Sequence, residues 1–188
     1  NIKYRSGAEV NDIICVNDHI GDSPAGLKLL LNDIEIDNES LAPLVNAHNH
    51  PEPKLETGQF LANHEAVHAM LDVSDGIGSD IRHIMERSEV GARIDLESLP
   101  ISSNLANAAE KYNWDAYDLA VNGGEDYCLL FTVESEHYEE LQAQYKKKFG
   151  NNFSKIGEIK EKDFGLHYYR QGKDQKFIGQ GFDHFKNE

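Results

Sequence analysis

Short apolar runs alternate along this chain with segments whose apolar residues recur at helical spacing. The runs within residues 12–17 and 128–133 are almost continuously apolar, which is typical of buried strands. Residues 76–88 carry isoleucines at helical spacing, which is typical of an amphipathic helix. The pattern therefore predicts strands and helices in alternation.

Local residue chemistry predicts two boundaries. Ser23 followed by Pro24 is a strong helix start, with Ser23 as the N-cap and proline in the first turn. Pro51 and Pro53 bias the residues before them to extended conformations. We therefore predict no regular helix within residues 46–54.

The chain changes from strand to helix within Asp72-Val73-Ser74-Asp75-Gly76, and this turn is a candidate for chemistry. If extended geometry persists to Ser74, Asp72 and Ser74 point to one face, and Asp75 follows at a helix start whose free N–H groups attract phosphate. Carboxylates repel phosphate unless a metal intervenes, and Mg²⁺ binds both carboxylate and phosphate oxygens. The alternative is that Ser74 or Asp75 only caps the helix.

A second polar group, Gly123-Gly124-Glu125-Asp126, precedes the apolar run at 128–133. The glycines permit a close approach of backbone, and the two acids lie where the strand begins. The alternative is a turn with solvated acids.

Arg5 is isolated in sequence. Such an arginine would be functional only if its guanidinium bound a phosphate through two N–H groups, as a fork.

The stretch His64-Glu65-Ala66-Val67-His68 matches the His-Glu-x-x-His pattern of zinc proteases. That pattern works only when both histidines lie on one uninterrupted helix and converge on the metal. An apolar run and then Asp72–Gly78 follow at once, which is poor helix sequence. The residues thus argue against a zinc hydrolase.

The formal net charge of −15 over 188 residues works against binding to nucleic acid or to an anionic membrane. No apolar run approaches the roughly 18 residues of a membrane span, and the first residues lack the apolar segment of a signal peptide. We therefore expect a cytoplasmic protein.

Cys15 and Cys128 each lie in an apolar run, so we expect two buried thiols.

Six stretches recur in order in one known family, and together they span nearly the whole chain. They are Arg5-Ser6-Gly7-Ala8, Gly21-Asp22-Ser23-Pro24-Ala25-Gly26-Leu27, Pro51-x-Pro53-Lys54, Ala69-Met70-Leu71-Asp72-Val73-Ser74-Asp75-Gly76, Gly123-Gly124-Glu125-Asp126-Tyr127 and Gly181-Phe182-Asp183-His184-Phe185. The chain thereby resembles the thiamine-monophosphate kinase family, whose superfamily includes aminoimidazole-ribonucleotide synthetase and selenophosphate synthetase.

The resemblance implies ATP-dependent phosphorylation of thiamine monophosphate to thiamine diphosphate, with Mg²⁺ and direct phosphoryl transfer. No covalent nucleophile is implied. The residues at the matching positions are Asp72 and Asp75 as Mg²⁺ ligands, Ser74 and Arg5 as ATP contacts, and Glu125 and Phe182 as substrate contacts.

The resemblance also implies an α/β sandwich, with a mixed sheet and flanking helices. Residues 1–54 would form an arm and the first βα unit of this domain, and residues 55–188 its remainder. The family's N-terminal domain, which carries further acidic metal ligands, would precede Asn1. We therefore expect a fragment that is inactive alone, and a family-like homodimer that depends on the missing domain.

Two other functions stay open on the sequence alone. One is a non-catalytic domain that binds a nucleotide or phosphate ligand and acts through partners. The other is the zinc hydrolase already argued against.

Overall fold

A computed structural model describes residues 1–36 and 39–175. The described chain contains seven strands in one sheet, with helices on both faces. The strands are β1 (Ile13–Val16), β2 (Val67–Asp72), β3 (Gly91–Asp95), β4 (Leu129–Val133), β5 (Ser154–Lys160), β6 (Leu166–Arg170) and β7 (Lys173–Gln175). The helices are α1 (Asp22–Leu31), α2 (Ala42–Asn49), α3 (Leu55–Ala62), α4 (Ile77–Ser88), α5 (Ser103–Tyr112), α6 (Ala116–Asn122) and α7 (Tyr138–Phe149).

The strand order is β2-β4-β1-β5-β3-β6-β7. Every neighbouring pair is antiparallel except β3 and β6, which run parallel. The sheet is therefore mixed, as the resemblance implied. Its order joins strands that are far apart in sequence, which local pattern cannot reveal.

Strand β1 shows how the sheet separates two apolar layers. Ile14 and Val16 pack into the layer that contains α4 and α6, whereas Ile13 and Cys15 pack into the opposite layer with α7. This alternation is the period of two that an extended chain imposes on its side chains. All four residues are buried, so the α/β sandwich prediction is confirmed.

Helix α2 corrects one prediction, because it extends to Asn49 and so enters the 46–54 segment. Pro51 and Pro53 affect only the residues immediately before them, and the helix ends before they act. Leu44 is fully buried, and its packing against α1 and α5 stabilises the helix. The prediction failed for 46–49 because the two prolines do not restrict these residues, and the packing of Leu44 stabilises the helix that contains them.

Helix α1 corrects a second prediction. Its N-cap is Gly21, in a left-handed conformation with φ 90°, so Ser23 is not the N-cap. Ser23 lies inside the first turn, where its hydroxyl is 3.2 Å from Nδ1 of His48. Ser23 therefore links α1 to α2 instead of capping α1.

Cys15 and Cys128 are both buried free thiols, as predicted. Among the described helices, none combines the length and apolar character that a membrane crossing requires.

Helices α1 and α2 pack so closely at Gly26 that a Cβ there would overlap the carbonyl oxygen of Leu44. We predict that Gly26→Ala lowers the free energy of unfolding by about 1–3 kcal/mol, because the backbones would have to separate. Urea denaturation of the variant and the wild type measures the difference.

Gly58→Ala is the matched control for this prediction. A Cβ at Gly58, in α3, would lie 3.7 Å from Leu129 Cδ1, which is an ordinary contact. Alanine has a higher helix propensity than glycine, so the free energy of unfolding of this variant should rise by up to about 1 kcal/mol. A Gly26→Ala protein as stable as the wild type would contradict the close packing.

Candidate functional site

The turn between β2 and α4, residues 73–76, is shaped by a close contact with a second loop. Gly76 has φ 94°, a conformation that side chains rarely adopt. A Cβ on it would lie 2.6 Å from the carbonyl oxygen of Gly123 and 2.8 Å from that of Val121. Glycine is therefore required here both for conformation and for space.

Extended geometry does not persist to Ser74, contrary to the condition set from the sequence. Strand β2 ends at Asp72, whose side chain is exposed. Helix α4 has Gly76 as its N-cap and no side-chain cap, so neither Ser74 nor Asp75 caps it. The turn residues are thus free for another role.

Asp80 stabilises the 73–76 turn through hydrogen bonds to its backbone, and the sequence patterns did not predict this role. Oδ2 of Asp80 accepts hydrogen bonds from the backbone N–H groups of Ser74 at 3.0 Å and of Asp75 at 3.1 Å. Asp80 is only 1% exposed. The signal was present in the sequence, since Asp80 lies on the same helical face as Ile77 and Ile84.

Burial raises the pKa of Asp80 to about 6. That pKa already includes the nearby carboxylates of Asp75 and Asp72, which raise it, and the two backbone N–H donors, which lower it. Negative charge is therefore concentrated at this turn, and a cation bound there would relieve the repulsion.

The second loop, residues 123–127, is named the glycine loop here. The backbone N–H of Glu125 donates to the carbonyl of Ser74, and that of Tyr127 to the carbonyl of Val73, each at 2.9 Å. A Cβ on Gly124 would overlap the Ser74 carbonyl oxygen. Gly124 is thus needed for the close approach that the sequence suggested, whereas a Cβ on Gly123 would overlap the carbonyl oxygen of Leu119 and the ring of Pro24.

A cavity of about 330 Å³ lies between the glycine loop, the 73–76 turn and α1, and we call it the inter-loop cavity. Its lining residues are Pro24, Leu27, Ser74, Asp75, Asn122, Gly123, Gly124, Glu125 and Tyr127. The fold therefore brings together Ser74, Asp75 and Glu125, which were predicted from two distant segments. Asp72 does not belong to this lining.

The Glu125 side chain is 53% exposed, and its Oε2 is 3.6 Å from Nδ1 of His48. His48 lies on α2 and is 19% exposed. The sequence offered no signal for this contact, because α2 reaches the glycine loop only through the tertiary packing of α1 and α2.

The carboxylate of the next residue, Asp126, contacts the backbone at the start of α1. Its carboxylate accepts hydrogen bonds from the backbone N–H groups of Gly21 at 2.7 Å and Ser23 at 3.1 Å. Burial raises the pKa of Asp126 to about 7, although these two bonds oppose the shift. Asp126 therefore joins the glycine loop to α1.

One group of possible metal ligands is already assembled in the described part of the chain. Single donor atoms of Asp75, Asp80 and His83 lie within 4.8 Å of one another. Asp72 is outside this group. The structure thus places Asp75 among other donors, and it adds two residues that were not predicted.

Arg5 is exposed and lies in the N-terminal segment beside the outer edge of β2. The carbonyl of Tyr4 accepts a hydrogen bond from the N–H of Met70 at 2.9 Å, which holds this segment against the strand. Arg5 does not line the inter-loop cavity. Phe182 lies outside the described residues.

The zinc-protease pattern does not form its helix. His64 and Glu65 lie in the turn after α3, whereas His68 belongs to β2. Nδ1 of His68 is 2.9 Å from Oδ2 of Asp12. The two histidines therefore do not converge as i and i+4, and the zinc-hydrolase alternative is wrong on geometry.

We predict that the stability contributed by Asp126 falls as pH rises. Its pKa of about 7 in the folded protein lies above the ordinary value of 3.8, so the folded state holds the proton more tightly. The contribution is complete below about pH 4 and is lost as pH rises through about 7. Asp126→Asn cannot take up this proton, so its free energy of unfolding should rise relative to that of the wild type between pH 4 and 8.

Urea denaturation at a series of pH values measures this difference. Asp163→Asn is the control, because Asp163 is exposed and distant in sequence from the site. Its difference from the wild type should stay flat over the same range. A flat difference for Asp126→Asn as well would contradict the buried proton.

Comparison with known proteins adds an independent observation. Residues 19–168 match the family model described as "AIR synthase related protein, C-terminal domain". The chain is also 39% identical to the thiamine-monophosphate kinase of Haemophilus influenzae over 186 residues, which cover 97% of this chain and 55% of that protein.

Two solved structures share the fold closely. The crystal structure of thiamine-monophosphate kinase from Stenotrophomonas maltophilia K279a has a TM-score of 0.80 at 29% identity, covering 92% of this chain and 54% of that one. The structure described as "AaThiL complexed with AMPPCP and TMP" has a TM-score of 0.76 at 31% identity, covering 93% and 52%.

The chain spans about half the length of these relatives. The alignments and the shared fold confirm the resemblance that the motifs indicated. Because the family model matches most of the chain, the protein belongs to the family of AIR synthase related proteins, of which these residues include the C-terminal domain.

Proposed function

We propose that this chain is the substrate-binding and metal-binding part of a kinase that phosphorylates thiamine monophosphate with ATP as the phosphoryl donor. The observation that carries the proposal is the inter-loop cavity, where Ser74 and Asp75 of one motif meet Glu125 of the other. Relatives at 33–39% identity are named thiamine-monophosphate kinases, and one similar structure is a complex with AMPPCP and TMP.

The lining of the cavity suits such a substrate. Thiamine monophosphate carries an amino group, a cationic ring and a phosphate. Glu125 offers a hydrogen-bond acceptor and a negative charge, while Pro24 and Leu27 offer apolar surface for a ring. Ser74 lies at the same cavity, and its hydroxyl would contact the nucleotide.

Phosphoryl transfer needs positioning and charge neutralisation more than covalent chemistry. The Asp80 carboxylate fixes the backbone of Ser74 and Asp75, and the glycine loop fixes it from the other side. Both supports limit movement of the reacting groups. A misplacement of about 1 Å can reduce the rate on the order of a hundredfold.

The donors at the turn fit Mg²⁺ in part. Asp75 supplies the carboxylate oxygen that Mg²⁺ prefers, and it lies beside the cavity. The imidazole of His83 is not a preferred Mg²⁺ ligand, and one oxygen of Asp80 already accepts two N–H groups. We therefore assign Asp75 as the principal ligand, with Asp72 approaching from the end of β2. Bound there, Mg²⁺ would neutralise phosphate charge during transfer.

The remaining assignments also belong to this proposal. Arg5 would contact ATP, and Phe182 would pack against the thiamine ring. A cytoplasmic location, a homodimer and the division of the domain at residue 54 stay predictions.

Our third prediction separates the metal role from the substrate role. Asp75→Asn should weaken Mg²⁺-dependent nucleotide binding at least about tenfold, because the amide keeps the shape but loses the charge. Glu125→Gln should instead weaken binding of thiamine monophosphate. Isothermal titration of each variant with an ATP analogue plus Mg²⁺, and with thiamine monophosphate, measures both effects.

Each variant is the control for the other, since both remove one charge from the same cavity. Nucleotide binding that is equal with and without Mg²⁺ would rule out the metal role of Asp75. Loss of both ligands in both variants would indicate a folding defect, which circular dichroism would reveal.

Our fourth prediction concerns activity. The 188-residue chain alone should show little or no formation of thiamine diphosphate, whereas a polypeptide extended to the length of its relatives should be active. Incomplete neutralisation of phosphate charge would leave the shorter chain slow. A coupled assay of both polypeptides tests this, and comparable turnover would show that the site is complete within these residues.

If the chain is instead a non-catalytic domain, we expect a different result in the coupled assay. It would bind the nucleotide or phosphate ligand, and even the extended polypeptide would form no thiamine diphosphate.

A further inference from the structure

A second cavity, of about 380 Å³, lies at the start of β2, away from the inter-loop cavity at the end of that strand. We call it the histidine cavity. Its lining residues are His64, Glu65, Ala66, His68, Glu134, His137, Glu140, Leu141 and Gln144. At about 3.3 Å per residue, the Cα atoms of His68 and Asp72 are separated by roughly 13 Å along the strand. The two cavities are thus distinct.

Three imidazoles from three different elements line this cavity. His64 lies in the turn after α3, His68 lies in β2, and His137 lies in a 3₁₀ turn before α7. The fold therefore gathers the two histidines of the rejected zinc-protease pattern with a third one that is about 70 residues away in sequence.

Two of these imidazoles are paired with carboxylates, and each pair can keep its ring oriented if the two side chains move together. Nδ1 of His68 is 2.9 Å from Oδ2 of Asp12, which is 3% exposed and also accepts the backbone N–H of Glu9 at 2.9 Å. Nδ1 of His137 is 2.8 Å from Oε2 of Glu134. In proteins, a histidine that binds metal commonly donates its other ring N–H to a carboxylate in this way. The arrangement leaves Nε2 of each ring as the available donor.

The surrounding charge favours a cation. Glu65, Glu134 and Glu140 line the cavity, and Lys3 is a positive group close to Glu65. The ring of His64 rests against Phe60, with centroids 4.6 Å apart, which holds it at the cavity wall.

From this placement we propose that the histidine cavity binds a divalent transition metal, Zn²⁺ or Ni²⁺, through His64, His68 and His137. Imidazole ligands suit these ions, whereas Mg²⁺ prefers oxygen ligands. The site is separate from the proposed kinase function and does not rest on it.

Binding requires side chains to rotate. Among described residues, the donor atoms of Asp75, Asp80 and His83 already lie within 4.8 Å of one another, whereas the three histidines do not form such a group. His137 and Glu134 both line the cavity and are 51% and 43% exposed, so the pair can turn into the cavity together and keep its 2.8 Å contact. The bound ion would then tie the turn before β2 to the start of α7, and it would stabilise the folded protein by mass action.

The test is titration of the metal-free chain with Zn²⁺ alone and with Ni²⁺ alone, followed by calorimetry and by thermal unfolding. His64→Ala and His137→Ala should each lower the affinity at least about tenfold and remove the metal-dependent rise in Tm. Glu134→Gln keeps all three imidazoles but removes the carboxylate that orients His137. It should weaken binding by about tenfold.

Two controls locate the bound ion. His83→Ala removes a donor from the group at the inter-loop cavity and should leave this binding intact. His167→Ala removes an exposed histidine that pairs with Asp174, and it should also bind as the wild type does. Thermal unfolding without metal shows that each variant is folded.

Metal binding that is unchanged in both His64→Ala and His137→Ala would overturn the proposal. Binding that is lost only in His83→Ala would equally overturn it and would place the ion beside Asp75.

Discussion

The site depends on one backbone contact, between the turn at residues 73–76 and the glycine loop. Glu125 and Tyr127 donate their N–H groups to the carbonyls of Ser74 and Val73. Side chains at Gly76 or Gly124 would force the two segments apart. Because the lining of the inter-loop cavity comes from both segments, this contact decides whether Asp75 and Glu125 face the same ligand.

Two carboxylates, one buried on Asp80 and one half-buried on Asp126, stabilise the segments on the two sides of this contact. Asp80 accepts the N–H groups of Ser74 and Asp75, and Asp126 accepts those of Gly21 and Ser23. Burial of these acids is unfavourable for their charged forms, and it raises the pKa of both. The hydrogen bonds offset part of that cost, and they fix the backbone around the exposed side chain of Glu125.

The two ends of β2 show how one strand can serve two unrelated surfaces. Its last residue leads into the 73–76 turn, whereas His68 near its start faces the histidine cavity. The His-Glu-x-x-His pattern is misleading as a protease signature, because its residues divide between a turn and a strand. The same division exposes His64 and His68 to a third histidine that the pattern does not contain.

The sequence by itself predicted the β2–α4 turn and the close approach of backbone at the glycine loop, since these follow from local periodicity and turn chemistry. The fold class and the assignment of Ser74, Asp75 and Glu125 came from the ordered motifs that the chain shares with a known family. Tertiary structure alone decided the strand order, the extension of α2 to Asn49, and the contacts of Asp80 and His48. The physical reason is that these features join segments distant in the chain, where packing outweighs local preference.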